Sequence, residues 1–224
     1  MLIPERISMK LIDAEYDPED YGRRNVRFIG ITGGVGCGKS SVMSYLSKRT
    51  GCRCFTSDEE AKKLYIPGSP VFEKIIEAAG NDVIDENGEL IKERFAKKIF
   101  ADDELRKKID GIVHPAVQGL ILDAMAKEKI SGKHDFFFIE AALLIECGYK
   151  EILNELWYVY ASEDTRRARL KADRGYSDEK ADAIFASQRS DKEYRKNCDR
   201  VIDNDGSIED MHASVDKILK GFGN

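Results

Sequence analysis

Val26–Val42 reads VRFIGITGGVGCGKSSV, and this stretch decides the fold. VRFIGIT is a β-rich run, a glycine cluster follows, and SSVMSYLSKRT places Val42, Met43 and Leu46 at helical spacing. The reading is strand, loop, helix. Gly33-Gly34-Val35-Gly36-Cys37-Gly38-Lys39-Ser40 satisfies G-x-x-x-x-G-K-[ST] in the context that the motif requires. Its physics is the cradling of phosphate groups. Consecutive backbone N–H groups must point into one concavity, which needs glycine's φ/ψ freedom, and the next helix adds its positive end. Gly34, Val35, Gly36, Cys37, Gly38, Lys39, Ser40 and Ser41 are the candidate nucleotide-binding residues. Lys39 is placed to reach the β- and γ-phosphates of ATP, and the Ser40 hydroxyl to ligand Mg²⁺.

Working outward, CRCFTSD reads as a second short strand ending at Asp58, after a turn at Gly51 that closes the first helix. Helical material then dominates from Glu59 to Ile130, broken by Pro67-Gly68, Gly80-Asn81, Glu86-Asn87-Gly88 and Pro115. DFFFIE (Asp135–Glu140) and ELWYVYAS (Glu155–Ser162) are apolar runs of the buried parallel type, and Arg200–Ile202 offers a short fifth strand. Helices are predicted over Asp164–Arg174, Ser177–Arg189 and Ile208–Lys220. Alternating strands and helices imply an α/β fold, a parallel β-sheet flanked by helices in the three-layer manner of phosphate-loop NTPases. The expected core covers about 26–58, 131–163 and 198–224, with a helical insertion at about 59–130 beside the sheet and further helical segments at about 164–190. Residues 1–25 are polar, acidic from Asp13 to Asp20, and read as an N-terminal extension outside the fold.

The 224 residues carry 36 Lys+Arg against 41 Asp+Glu, a net charge of −5, so no global positive field attracts nucleic acid or an anionic membrane. No apolar run approaches a membrane span, and the N-terminus lacks the pattern of a signal peptide. The expectation is a cytoplasmic protein acting on a small molecule, without nucleic acid, membrane or an obligate protein partner. The five cysteines, Cys37, Cys52, Cys54, Cys147 and Cys198, are scattered and odd in number, which suits reduced thiols. Cys52 and Cys54 should share one face of a strand. Cys37, inside the loop, is either a thiol activated by the helix N-terminus or a plain replacement for a serine-sized residue, and the second is preferred. No N-K-x-D string is present to read guanine, and the length leaves no room for a mechanical module. A small-molecule kinase is the favoured class.

Such a kinase needs a carboxylate near the transferring phosphate to orient the acceptor hydroxyl and take its proton. Asp58 at a strand end is the candidate. The alternative is that Asp58 merely N-caps the Glu59–Ile66 helix, and the two roles can coexist.

The blocks IGITGGVGCGKSSV, SDEEAKKL, IFADDELRKKIDGIVHP, IEAALLIECGY, RLKADRGYSDEKADAIFASQ and CDRVIDNDGSIEDM together resemble the dephospho-coenzyme A kinase family over roughly residues 26 to 220. The resemblance implies transfer of the ATP γ-phosphate to the ribose 3′-hydroxyl of dephospho-coenzyme A, with Mg²⁺, and makes the helical insertion at about 59–130 acceptor-binding and the segment at about 164–190 a lid. It assigns catalysis to Asp58 and Lys39, with Arg169 and Arg174 as lid arginines, the acceptor side to Asp58, His114 and Leu143, and the metal to Ser40 and Glu140. The chain departs from the family pattern at four places. Thr56 stands where the family has the first acid of its D-A-D element, Ala142 where it has proline, and Glu140 where aspartate is common. Asp173-Arg174-Gly175 replaces Arg-Asp-Gly, displacing the arginine by one position. Arg166 and Arg167 are, with Arg169, the other candidates for clamping the transferring phosphate, and at least two of the four arginines are expected to lie on a solvated helix face. A kinase for another small acceptor would share Lys39 and Asp58 without the Val113-His114-Pro115 and Val201-Ile202-Asp203-Asn204 blocks. A nucleotide-binding switch would lack a use for the helical insertion.

Overall fold

A computed structural model of the chain describes residues 26–141 and 144–222. The N-terminal extension, Ala142 and Leu143 lie outside the described residues. The element order is β1 (Arg27–Thr32), α1 (Lys39–Leu46), β2 (Cys52–Thr56), α2 (Ser57–Ala61), α3 (Pro70–Ala79), α4 (Lys92–Ala101), α5 (Asp103–Ser131), β3 (Phe136–Glu140), β4 (Glu155–Tyr160), α6 (Glu163–Arg174), α7 (Asp178–Ser187), α8 (Asp191–Asn197), β5 (Arg200–Asp203) and α9 (Ile208–Lys220). Two compact units emerge. One joins the residues up to Phe55 with those from Met125, and the other is Thr56–Ala124.

The first unit is built on a five-stranded parallel sheet ordered β2-β3-β1-β4-β5. Phe137, Phe138 and Ile139 of β3 and Leu156 to Val159 of β4 are all buried, the signature of strands covered on both faces. One core cluster gathers Ile29 and Ile31 of β1, Val42, Met43 and Leu46 of α1, Trp157 of β4, Ile202 of β5, and Met211 and Val215 of α9. The helical spacing of Val42, Met43 and Leu46 thus becomes the buried stripe of α1. Cys52 and Cys54, alternate residues of β2, pack half-buried against the same cluster, as the period of two requires.

Four helices of this unit start where the chain offers hydroxyl caps. Ser162, Ser177, Ser190 and Ser207 each accept a backbone N–H at the start of α6, α7, α8 and α9. Ser190 with Glu193 and Ser207 with Asp210 form reciprocal capping boxes.

The second unit has its own core, in which Phe72, Ile75, Ile76 and Ala79 of α3 pack with Val83, Phe95 of α4 and Ile109 of α5. Its turn at Glu86-Asn87-Gly88 is held by the Asp85 carboxylate, which accepts the N–H groups of Asn87 and Glu89 at 2.9 Å each.

Three local expectations are corrected. β2 ends at Thr56 rather than Asp58. Thr56 is the N-cap position of α2 and makes no side-chain cap bond, so Asp58 lies in the helix's first turn and is not the cap. Pro115 does not interrupt the helical run, because α5 continues through it for 29 residues. A proline in a helix interior removes the bond to the carbonyl four residues earlier. Here that carbonyl belongs to Gly111, which is exposed, so the vacant acceptor is open to solvent and its cost is small. Finally, α1 stops at Leu46 and turns before Gly51 is reached; Gly51 instead sits at φ 76° ahead of β2.

Candidate active site

The parallel register brings the carboxyl ends of four strands to one edge: Ile31 pairs with Glu140, Thr32 with Tyr158, and Tyr160 with Asp203. In an open α/β sheet this edge is where ligands bind. The glycine loop leaves β1 here and runs into α1. Gly38 is the N-cap residue at φ 92°, and its carbonyl accepts from Ser41 N at 3.0 Å and Val42 N at 3.1 Å. The first turn of α1 contains no acidic residue, so its N-terminal amides and dipole are available to an anion.

Lys39 Nζ donates to the carbonyl of Gly33 at 2.8 Å and to that of Gly34 at 3.4 Å. The ammonium therefore lies across the loop's own entrance. The Cys37 thiol is 1% exposed. Burial pushes its pKa up, against the lowering influence of Lys39, so the thiol is held protonated beneath the loop and the helix N-terminus does not activate it.

Helix α6 packs directly on the loop. A Cβ at Gly36, where φ is 83°, would come within 3.1 Å of the Arg166 carbonyl and 3.2 Å of Leu170 Cγ. Three residues separate Arg166 from Arg169, which puts both on one helix face. Arg166 Nε donates to the Val35 carbonyl at 2.8 Å and its guanidinium also meets Gln188 Oε1. Gln188 Oε1 in turn accepts the Val35 N–H at 3.2 Å. Arg169 donates to the carbonyls of Cys37 at 3.5 Å and Asn204 at 2.9 Å. Arg167 faces away, pairing with Asp182 at 2.5 Å and Asp178 at 3.4 Å.

Arg174 is not brought to the loop. It lies five residues beyond Arg169, about 140° further round the helix. It is exposed in the last turn, where Gly175 ends the helix in the left-handed conformation.

Glu140 closes β3 and is half-buried, and its charge raises the Cys37 thiol, which places it near the loop. Ser40 is exposed in the first turn of α1. A hydroxyl and a carboxylate are hard oxygen donors of the kind Mg²⁺ accepts. Among the described residues no group of three or more His, Cys, Asp or Glu forms a metal cage. Mg²⁺ with only one or two protein ligands and the rest from phosphate and water fits that composition.

In the helical unit, Asp58 is exposed in the first turn of α2. His114 is exposed in the middle of α5, its Nε2 3.9 Å from Asp110 Oδ1, beyond hydrogen-bonding distance.

The family model of dephospho-CoA kinase matches residues 27–210. A dephospho-CoA kinase of Symbiobacterium thermophilum is 35% identical over 85% of this chain and 79% of its own length. That of Aquifex aeolicus is 33% identical over 86% and 95% respectively. The chain belongs to the dephospho-CoA kinase family. Members of that family phosphorylate dephospho-CoA with ATP in the final step of coenzyme A biosynthesis, and this chain is accordingly a kinase. Among solved structures, TT1252 from Thermus thermophilus superposes with a TM-score of 0.71 at 28% identity, covering 88% of this chain and 97% of its own. The dephospho-CoA kinase of Campylobacter jejuni superposes at 0.61, with 21% identity, over 87% and 96%, a likeness of fold.

Against this family background, Arg166 is one of the arginines expected at the phosphates, and two further side chains at the loop, Gln188 and Asn204, exceed the site expected from sequence. Both lie inside blocks that carry the family resemblance. Their signal was position in those blocks, but their partners are backbone atoms more than 130 residues away, which no local pattern reveals. Among the described residues no helix is long and apolar enough to cross a membrane.

Proposed function

We propose that this chain transfers the γ-phosphoryl group of ATP to the ribose 3′-hydroxyl of dephospho-CoA, yielding CoA and ADP. The observation that carries the reading is a complete phosphate loop, flanked by two arginines of α6, in a chain matched to the family from β1 into α9. Phosphoryl transfer asks the protein mainly to position its substrates and to stabilise charge on the equatorial oxygens. Lys39, released from the Gly33 and Gly34 carbonyls, neutralises the β- and γ-phosphates. Arg166 reaches the transferring group from the lid side, Arg169 supports the loop from the same helix face, and Arg174, the other lid arginine, is exposed in the last turn of α6 and makes no direct contact with the loop in this arrangement. The loop residues Gly34 to Ser41 supply backbone and hydroxyl donors.

Ser40 and Glu140 hold Mg²⁺, which supplies electrostatic stabilisation of the phosphate oxygens. Asp58 orients the acceptor hydroxyl and takes its proton. His114 and Leu143 contact the acceptor. Residues 59–130 act as the acceptor-binding insertion and 164–190 as the lid that excludes water. The net charge of −5 supports action on a small molecule in the cytoplasm rather than on nucleic acid.

The test is ADP release from Mg·ATP across dephospho-CoA, nucleosides, nucleoside monophosphates, shikimate and no acceptor. Stimulation by dephospho-CoA alone, with one phosphate gained at the 3′ position, is the expected result. Stimulation by another acceptor overturns the substrate, and acceptor-independent turnover overturns the kinase reading.

A further inference from the structure

Asn204 immediately follows β5, is 5% exposed, and engages its backbone N–H, its backbone carbonyl and its side-chain amide nitrogen. Its backbone N–H donates to the Tyr160 carbonyl at 2.8 Å, which seats it at the carboxyl edge of the sheet. Its backbone carbonyl accepts Arg169 at 2.9 Å. Its side-chain amide nitrogen donates to the Cys37 carbonyl at 2.8 Å across 167 residues of sequence. Arg169 adds a longer contact to the same carbonyl, at 3.5 Å. The Cys37 carbonyl is therefore held from one side by two donors, one of them buried and rigidly mounted.

The peptide bond turns this into a statement about the next residue. Cys37–Gly38 is trans, as are all peptide bonds among the described residues, and in a planar trans unit the C=O and the following N–H point in opposite directions. Holding the Cys37 oxygen against Asn204 and Arg169 aims the Gly38 N–H away from them. Gly38 is a residue whose backbone would otherwise flip cheaply. It sits at φ 92°, where glycine has no preference of hand, and a side chain is excluded because its Cβ would overlap the Asn204 amide.

We propose that Asn204, seconded by Arg169, is a positioning residue for ATP: it locks the Cys37–Gly38 peptide plane so that the Gly38 N–H is presented to the nucleotide's phosphates. The proposal rests on the reading of the glycine loop as the ATP site. It also gives Arg169 a different task from direct contact with the transferring phosphate, since both its terminal nitrogens are engaged by loop and strand-end carbonyls. Without the clamp the peptide samples both orientations, and part of the binding free energy of the nucleotide is spent on ordering it.

The test compares the native full-length chain with Asn204→Asp, which keeps the size and replaces the donor by an acceptor facing the Cys37 oxygen. ADP affinity by calorimetry, KM for ATP, KM for dephospho-CoA and the thermal midpoint are measured together. The expected result is ADP affinity weakened about tenfold or more, with KM for ATP raised in parallel, as follows from loss of one buried hydrogen bond. KM for dephospho-CoA stays within about twofold, a split that general loosening of the fold would not produce. Unchanged ADP affinity in the folded variant overturns the proposal, as does an equal loss for both substrates.

Should Asn204→Asp not fold, Arg169→Lys keeps the charge and removes the forked geometry on the same carbonyls. It is expected to weaken ADP about threefold with dephospho-CoA unaffected, and unaltered ADP affinity overturns the proposal. A native chain that binds no ADP overturns the ATP-site reading itself, and this proposal with it.

Discussion

Arg166 and Arg169, one helical turn apart on α6, donate to the carbonyls of Val35 and Cys37, two residues apart in the glycine loop. One helix face thus meets one flank of the phosphate cradle, and the geometry separates arginines that look equivalent along the chain. Arg166→Gln is expected to lower kcat by about 10²-fold or more, the scale of losing one charged donor to a transition-state oxygen. Arg174→Gln, which changes an exposed residue, should alter kcat less than threefold. Steady-state kinetics on both variants checks the ordering, and a larger effect at Arg174 would show that it reaches the phosphates in another arrangement of the lid.

Asp58 is exposed and is not the cap of α2, so its removal should leave stability alone. Asp58→Asn is expected to reduce kcat by about 10²–10⁴-fold, the usual worth of a positioned general base, with the thermal midpoint unmoved. A drop below tenfold would remove it from the chemistry. Lys39→Ala should instead fail in both ATP affinity and turnover.

Glu128 supplies a pH-dependent part of the stability. Its carboxylate is 1% exposed and accepts Arg53 at 2.6 Å and His134 at 2.7 Å. Burial alone would raise its pKa, but the hydrogen bonds from Arg53 and His134 and their charges hold it below the usual value of 4.5. A lowered folded pKa means stability that is fully present above the unfolded value and is lost as pH falls through the folded one. Glu128→Gln should therefore cost about 1–2 kcal/mol at pH 7, a charged hydrogen bond discounted for the exposure of Arg53. The difference from the native chain should shrink below pH 4.5, as read by urea unfolding at pH 7 and pH 3.

Cys37 should be a slow thiol. Burial raises its pKa, so at pH 8 its thiolate fraction lies below that of a free cysteine, and access is closed as well. Iodoacetamide labelling of the native protein followed by peptide mapping should find Cys37 modified far more slowly than after unfolding. Rapid labelling of the folded chain would contradict the burial.

Phe222 closes the end of the sheet opposite the loop. Its ring packs edge-on to Phe136 at 5.4 Å and stacks on Trp157 at 6.2 Å, with the Arg27 and Arg200 guanidinium groups over it at 4.9 and 5.4 Å. Phe222→Ala is expected to destabilise by about 1–3 kcal/mol, below the range for a fully buried phenylalanine. The denaturant midpoint should fall, and Trp157 emission should shift to the red as its ring becomes wetter.

Much of this was legible in the chain because the signals are local. A glycine run between a β-rich segment and a 3.6-residue apolar period specifies strand, loop and helix by backbone sterics alone, and the predicted final helix, Ile208–Lys220, has those bounds in the structure. The failures were equally physical. Asp58 looked like a strand terminus because nothing local marks Thr56 as the turning point. Pro115 looked like a break because its cost is local, while the 29-residue helix around it is held by packing elsewhere.

The phosphate loop, the class of sheet and the membership of a kinase family were determined by residue type and spacing, since glycine freedom, a lysine and a hydroxyl at fixed offsets suffice to define an anion cradle. Which arginine touches that cradle, and that Gln188 and Asn204 hold its amide and carbonyl groups, was decided only by the tertiary structure. Those contacts depend on strand order and on which face α6 presents, and both are set by burial of the whole sheet rather than by any short run of residues.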